Sequence, residues 1–273
     1  MAEAPVVYPP PDQILSALGI EIAWRDAETL IGRATADVAL LGTDGGPPGM
    51  GALSPVIDLV AGARASATAE GDWLVTSDMW LHERAPIDTG PLLIETRLLR
   101  SGKRSTVVAV EALNGDRPAV SGTVEFSRIR RDASPHVTST AAPDQQWVRL
   151  GSGALLDRPL WDACDLRILD VPDGSPGVAE VHRSPFVANS IGTLQGGVVV
   201  LVADAAASAT LGPAARTVDM QFRFLAQTGD GPARATAEVI RRDGPEVTVK
   251  VEVVDQGDGA LVGWAVCRVV PAQ

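Results

Sequence analysis

Apolar and polar positions along this chain alternate between two periods. Ile20-Glu21-Ile22-Ala23-Trp24 has the period of two expected of a half-buried strand. Thr29 to Leu41 continues it, with Ile31, Arg33, Thr35 and Asp37 opposite Ala34, Ala36 and Val38, and predicts a second strand. A Gly/Pro-rich turn follows over Gly42 to Gly49. From Met50 to about Ala69 the pattern changes to an Ala-, Leu- and Val-rich helix with Asp58 inside it. Beyond Gly71 the alternation returns in four strand candidates, Trp73–Glu83, Leu92–Arg100, Ser105–Leu113 and Ala119–Arg130. Asp88-Thr89-Gly90, Gly102 and Asn114-Gly115 separate them, the last being a hairpin signal. At the start, Asp12 can cap a short helix over Gln13 to Leu18. The Pro-rich residues before it read as a loosely held arm.

The stretch Asn189 to Asp204 is the most informative. A polar turn (Asn189, Ser190, Gly192) leads through Gly196-Gly197 into an apolar run broken by one carboxylate, Asp204. A helix that is apolar nearly all round is buried. A buried carboxylate is costly unless something satisfies or uses it. The helix would begin near Gly196, where unpaired N–H groups and the positive end of the dipole lie. Donors of that kind beside a carboxylate suit polarising a carbonyl and directing water at it.

The two helices belong to an internal repeat. Residues 14–58 lie over 160–204 at a constant offset of 146, which places Gly51 on Gly197 and Asp58 on Asp204. Residues 76–130 lie over 217–271 at an offset of 141, which places Thr76 on Thr217, Asp78 on Asp219 and Arg100 on Arg241. The difference is a five-residue insertion between helix and strand in the first half. Each repeat then reads as strand, buried helix and about four antiparallel strands. The Val247–Val253 alternation is a half-buried strand whose apolar face the helix would cover. The expected organisation is a first unit over 1–130, a polar connector over 131–159 and a second unit over 160–273. Trp147 and Trp161 suggest that parts of the connector region dock.

Composition narrows the function. The chain has 273 residues, 45% of them hydrophobic, and a formal net charge of −11. That charge argues against nucleic acid or an anionic membrane surface as a partner. Two cysteines and three histidines provide neither a disulfide framework nor a multi-histidine metal centre, and fit a reducing cytoplasm. The N-terminal residues lack a basic region and a long apolar stretch, so no signal peptide is expected. The apolar run Val198 to Ala203 is too short to span a bilayer.

Asn189-x-x-Gly192-Thr193-Leu194-Gln195-Gly196-Gly197, then Asp204, then Thr217-Val218-Asp219-Met220, resembles the phenylacetyl-CoA-type (PaaI-like) acyl-CoA thioesterases. Their pattern is N-x-x-G-x-x-H-G-G, an Asp seven residues later, and an S/T-V-D-M strand. The resemblance implies an α+β double hot-dog, in which each half is an antiparallel sheet wrapped around a long central helix. It implies an acyl-CoA substrate, no cofactor, and further homo-oligomerisation. It also implies sites shared across a pseudo-two-fold axis. One site would combine Asn189, Gln195 and Gly196 of the second half with Asp58 and Thr76 of the first. The other would combine Asp204 and Thr217 with Thr43, Gly49 and Met50, where the family's Asn and His-Gly are absent, so Asp58 is the favoured carboxylate. The family's His is Gln195 here, which can donate and accept hydrogen bonds but cannot exchange a proton near neutral pH.

The implied reaction is thioester hydrolysis. Gly196 N–H would hold the thioester oxygen, Asp58 would act as general base or nucleophile, and Asn189 would orient substrate or water. Thr76 would position water, and Gln195 would contact the thioester region. Without the resemblance, Asn189 is a turn former, Thr76 a plain strand residue and Gln195 an early-helix polar residue. Arginines such as Arg100, Arg128 and Arg241 could meet CoA phosphates or be solvated turn charges. Asp78 and Asp219 read as structural. Two other classes stay open: a non-catalytic acyl-CoA or lipid binder, and a hot-dog hydratase or dehydratase, which usually wants an Asp/His pair at the helix start.

Overall fold

The computed structural model describes residues 7–42, 46–69, 71–88, 90–129, 137–138, 146–169, 177–212 and 214–271. The first half contains β1 (Val7–Tyr8), α1 (Ile14–Ala17), β2 (Ile20–Trp24), β3 (Thr29–Ala34), α2 (Met50–Ser66), β4 (Trp73–Glu83), β5 (Leu92–Ser101), β6 (Ser105–Asn114) and β7 (Arg117–Ile129). Next come two short strands, β8 (Val137–Thr138) and β9 (Val148–Arg149). The second half contains α3 (Leu160–Ala163), β10 (Arg167–Ile168), β11 (Gly177–Val181), α4 (Gly196–Ala209), β12 (Arg216–Phe224), β13 (Ala233–Asp243), β14 (Glu246–Asp255) and β15 (Leu261–Val270).

Thirteen strands form one antiparallel sheet in the order β10-β11-β13-β14-β15-β12-β4-β7-β6-β5-β3-β2-β9. The halves join where β12 pairs with β4. Asp78 pairs with Arg223 and His82 with Asp219, and the offset of 141 carries one pair onto the other. Trp80 pairs with Gln221 and maps onto itself, so it marks a pseudo-two-fold axis. Two β-bulges recur in the same register, Thr76/Asp78 with Thr217/Asp219 and Leu98/Arg100 with Val239/Arg241. Bulges re-aim neighbouring side chains, and the two bulges of the first pair adjoin Thr76 and Thr217.

Each helix lies under its own half of the sheet, α2 against β3 to β7 and α4 against β11 to β15. Both are apolar nearly all round, which is why both are buried. They also pack on each other. A Cβ on Gly51 would lie 2.2 Å from Asp204 Cβ, and one on Gly197 would lie 2.5 Å from Pro55 Cα. Glycine is therefore what lets the two helix N-termini meet. One continuous apolar core spans both halves.

Some boundaries differ from the expectations. The strand predicted over Thr29 to Leu41 ends at Ala34, because Asp37 turns the chain by accepting the Ala39 N–H at 3.0 Å and caps a 3-10 turn over Val38–Leu40. Helix α2 stops at Ser66, three residues short of Ala69, where the chain tightens into turns in which the Thr68 N–H and hydroxyl both donate to Ala65 O, at 2.9 and 2.8 Å. The arm expected to be loose is docked over its described residues. There β1 pairs in parallel with β8, and Ser16 Oγ donates to Pro10 O at 2.7 Å. Residues 1–6 lie outside the described residues, as do 131–136 and 139–145 of the connector. Its remainder adds β9 to the sheet edge, with the Arg33 guanidinium 4.3 Å from the Trp147 ring centre.

Candidate active site

The carboxylate of Asp58 is buried on α2 and faces the start of α4. Thr76 Oγ1, beside the β4 bulge, donates to its Oδ1 at 2.7 Å. Gln195 Nε2 donates to its Oδ2 at 2.9 Å. Gln195 is also the N-cap of α4, with its Oε1 accepting the Val198 N–H at 3.0 Å. The cap fixes the amide so that its NH2 end reaches the carboxylate. Burial raises the Asp58 pKa to about 6, against the lowering effect of the bonds from Thr76 and the Gly197 N–H.

Gly196 is the first residue of α4, and its N–H forms no hydrogen bond among the described residues. A Cβ placed there would lie 3.1 Å from Asp58 Oδ2. The helix thus presents an unused donor beside the carboxylate.

The loop leading to Gln195 is held from both sides. Asn189 Nδ2 donates to Thr193 Oγ1 at 2.7 Å, and its Oδ1 accepts the N–H groups of Ile191 and Thr193 at 3.0 Å. Leu194 N–H donates to Thr228 Oγ1 at 2.8 Å. Thr228 follows β12, in a loop anchored by the fully buried Asp255, which accepts the N–H groups of Gly229, Gly231 and Gly257. Burial works against the Asp255 charge, but those N–H groups outweigh it and hold its carboxyl below the usual range.

A cavity of about 450 Å³ opens onto this constellation, lined by Asp58, Thr76, Asn189, Gln195 and Gly196. Its apolar wall includes Leu15, Leu59, Val75, Phe126, Val199 and Phe224. Among the described residues, no Lys, Arg or His contributes to the lining. That size and lining suit a mostly apolar ligand carrying a few polar atoms.

The pseudo-equivalent site is built similarly and closed. Asp204 is bonded by Thr217 Oγ1, and burial raises its pKa to about 6 against bonds from Thr217, Gly51 and Ala52. Met50 N–H, the counterpart of Gly196 N–H, is consumed by Thr217 Oγ1 at 3.0 Å. The space beside Asp204 is only about 10 Å³, at the lower limit for one water. The repeat offsets show why. Leu15 of the open cavity corresponds to Trp161, while Val75 and Phe224 correspond to Arg216 and Glu83, which form a buried ion pair.

Residues 186–269 match the family described as the acyl-CoA thioesterase N-terminal domain. This match supports thioester hydrolysis, and the matched segment contains the loop Asn189–Gln195, α4, Asp204 and Thr217. Among solved structures, the tesB protein of Mycobacterium avium subsp. paratuberculosis is 13% identical with a TM-score of 0.62, and the match covers 94% of this chain and 97% of that one. The acyl-CoA thioesterase II TesB2 of Mycobacterium marinum is 14% identical with a TM-score of 0.57, covering 91% and 94%. A hot-dog-fold protein of Alicyclobacillus acidocaldarius is 15% identical with a TM-score of 0.56, also covering 91% and 94%. At these identities the likeness is one of fold, and it extends beyond residues 186–269 to nearly the whole chain, which has a hot-dog fold. A search of curated protein sequences finds no match.

The structure brings together Asp58, Thr76, Gln195 and Gly196, and separately Asp204, Thr217, Gly49 and Met50. Thr43 lies outside the described residues. Asn189 lines the cavity, but its side chain is committed to its own loop. Asp78 pairs with Arg223 at 2.9 Å and Asp219 with His82 at 2.8 Å. Arg100, Arg128 and Arg241 do not line the cavity, and Arg128 is tied to Thr68 O at 2.7 Å. Sequence reasoning missed Tyr8, which lines the cavity from the arm, and the plugging trio Trp161, Arg216 and Glu83. The trio could have been found by reading cavity positions across the repeat offset. Tyr8 has no counterpart in the aligned segments and left no signal. Among the described residues, no group of three or more His, Cys, Asp or Glu side chains is placed to hold a metal. No described helix is long and apolar enough to cross a membrane.

Proposed function

We propose that the chain hydrolyses acyl-CoA thioesters at one composite site, made by Asp58 and Thr76 of the first half and Gln195 and Gly196 of the second. The observation that carries this reading is the unused Gly196 N–H beside a carboxylate of raised pKa on an apolar cavity. The closed site spends its equivalent N–H on Thr217. In the proposed reaction Asp58 removes a proton from water, and the water oxygen bonds to the thioester carbon. Gly196 N–H receives the oxygen as it gains negative charge. The C–S bond then breaks, the acid is released, and the proton on Asp58 passes to the departing CoA thiolate. A carboxylate titrating near 6 is matched to that exchange at neutral pH. Thr76 and Gln195 act through Asp58 by holding both its oxygens, so the amide performs an orienting task and needs no titratable proton. Asn189 serves by shaping the loop that delivers Gln195.

We read the architecture as a tandem hot-dog with halves at 1–130 and 160–273 joined by 131–159. The bulges and strand pairs that recur in register support this reading. The finer PaaI-like assignment rests on the Asn189–Gly197 motif, and Gln195 is its departure. By the same resemblance the protein acts in the cytoplasm, without a cofactor, as an assembly of several chains. Scattering mass in solution tests the assembly.

Assay of free CoA released from short, medium, long and aryl acyl-CoAs tests the activity. The second reading, a non-catalytic acyl-CoA binder, is favoured by Gln195 having both ends of its amide engaged. It predicts that acyl-CoA raises the melting temperature with no CoA released.

A further inference from the structure

Tyr8 is the only tyrosine in the chain. It stands on β1 and lines the same cavity as Asp58, Gln195 and Gly196. Its hydroxyl is held by the fully buried Gln13. Gln13 Nε2 donates to Tyr8 Oη at 3.2 Å and to Ala188 O, just ahead of Asn189, at 3.0 Å. Gln13 Oε1 accepts the Leu15 N–H at 2.8 Å. Every polar atom of this amide side chain is therefore used, and its orientation is fixed. With Oη already accepting from Gln13, the phenol proton is left to donate, and it has no acceptor among the described residues. Burial, then the nearby Asp58 charge, raise the phenol pKa above its ordinary value, against the lowering effect of Gln13. The group stays protonated at any working pH.

A fixed O–H donor and a free helix N–H that line one cavity, with the Asp58 charge felt by both, suit a single oxygen that gains negative charge. Resting on the thioesterase reading above, we propose that Tyr8 is a second catalytic hydrogen-bond donor to the thioester oxygen, paired with Gly196 N–H. The phenol keeps its proton throughout, and no bond to Tyr8 forms or breaks. The arm is accordingly a working part of the active site, delivered by Gln13 and Ser16.

The test uses the full chain and octanoyl-CoA. Tyr8→Phe keeps the ring and removes the donor, and is expected to lower kcat by about 10²-fold with KM within about threefold, as for loss of one oxyanion donor. A melting temperature equal to wild type shows that the arm is still docked. Because Tyr8 is the sole tyrosine, growth on 3-fluorotyrosine labels this one position. The single fluorine resonance is expected to shift when octanoyl-CoA is added to an Asp58→Asn background, which stops turnover. A kcat within twofold of wild type overturns the proposal, as does an effect confined to KM. If Tyr8→Phe melts early, the fluorine signal decides, and a resonance unmoved by octanoyl-CoA overturns it. Absence of turnover by wild type on every acyl-CoA overturns the hydrolase reading itself, a result distinct from an active enzyme indifferent to Tyr8.

Discussion

Gly197→Ala separates packing from chemistry. The added Cβ would sit 2.5 Å from Pro55 N and Cα and 2.7 Å from the Ser54 carbonyl carbon. All three are backbone atoms, so no side chain can swing aside. Ordinary contact at about 3.4 Å or more requires the helices to part by roughly 1 Å at their crossing, and overpacking of this kind costs about 1–3 kcal/mol. Separation also weakens the Gly197 N–H bond to Asp58, worth about 0.5–1.5 kcal/mol. Better helix propensity returns up to about 1 kcal/mol. The net loss is roughly 1–4 kcal/mol, or about 3–15 °C in melting temperature for a chain of this size. Thermal and urea unfolding measure it. Loss of that donor should also raise the midpoint of the pH–rate profile. Gly196→Ala is the control. Its Cβ would stand 3.1 Å from Asp58 Oδ2 and 3.6 Å from Phe224, at the cavity wall, so the protein should fold normally and lose turnover. A Gly197→Ala protein that melts within about 2 °C of wild type and turns over normally would refute the argument from helix contact.

Other predictions follow from the same geometry. Since Asp58 must be ionised to take a proton and its folded pKa is about 6, kcat should rise tenfold per pH unit below that value and level off above it. A profile flat from pH 5 to 8 contradicts the assignment of the base. Asp204 and Thr217 together cap α2 from the other half, since the N-cap Gly49 has no side chain for the task. Asp204→Ala should therefore cost stability, about 2–4 kcal/mol in urea unfolding, with kcat per folded molecule little changed. Gln195→Leu should lower kcat by about 10-fold or more while Gln195→His restores part of it, because position and not titration is the requirement. Equal rates for wild type and Gln195→Leu would remove Gln195 from the site.

Much of the architecture was legible because repeats leave a register. The offset of 141 read from sparse identities is the offset that carries the Asp78–Arg223 strand pair onto His82–Asp219. The offset of 146 placed Asp58 and Asp204 at equivalent helix positions, and both prove buried with raised pKa values. Local features were harder. Asp37 ended a strand whose alternation ran on to Leu41, since one capping carboxylate outweighs a weak period. Asn189 looked free to meet a substrate, but its oxygen and amide satisfy loop backbone nearby, the usual preference of Asn in turns. Which of two similar sites stays open depends on volume at Leu15 or Trp161 and on charge at Val75 or Arg216. None of those residues is itself a motif position, although Val75 and Arg216 directly precede Thr76 and Thr217, so the asymmetry was readable only once the repeat was turned into a correspondence of walls. Tyr8 reaches the cavity from a Pro-rich segment, with its ring packed on the core and its hydroxyl held by Gln13, and that segment has no periodicity to betray it.

The most direct measurement is CoA release from a panel of acyl-CoAs by wild type, Asp58→Asn and Asp204→Asn, each normalised to folded protein. The account predicts turnover by wild type, a loss of about 10²-fold or more in Asp58→Asn, and retained turnover in Asp204→Asn. Turnover lost in Asp204→Asn but kept in Asp58→Asn would contradict it. So would a wild type that binds acyl-CoA, seen as a raised melting temperature, and releases no CoA.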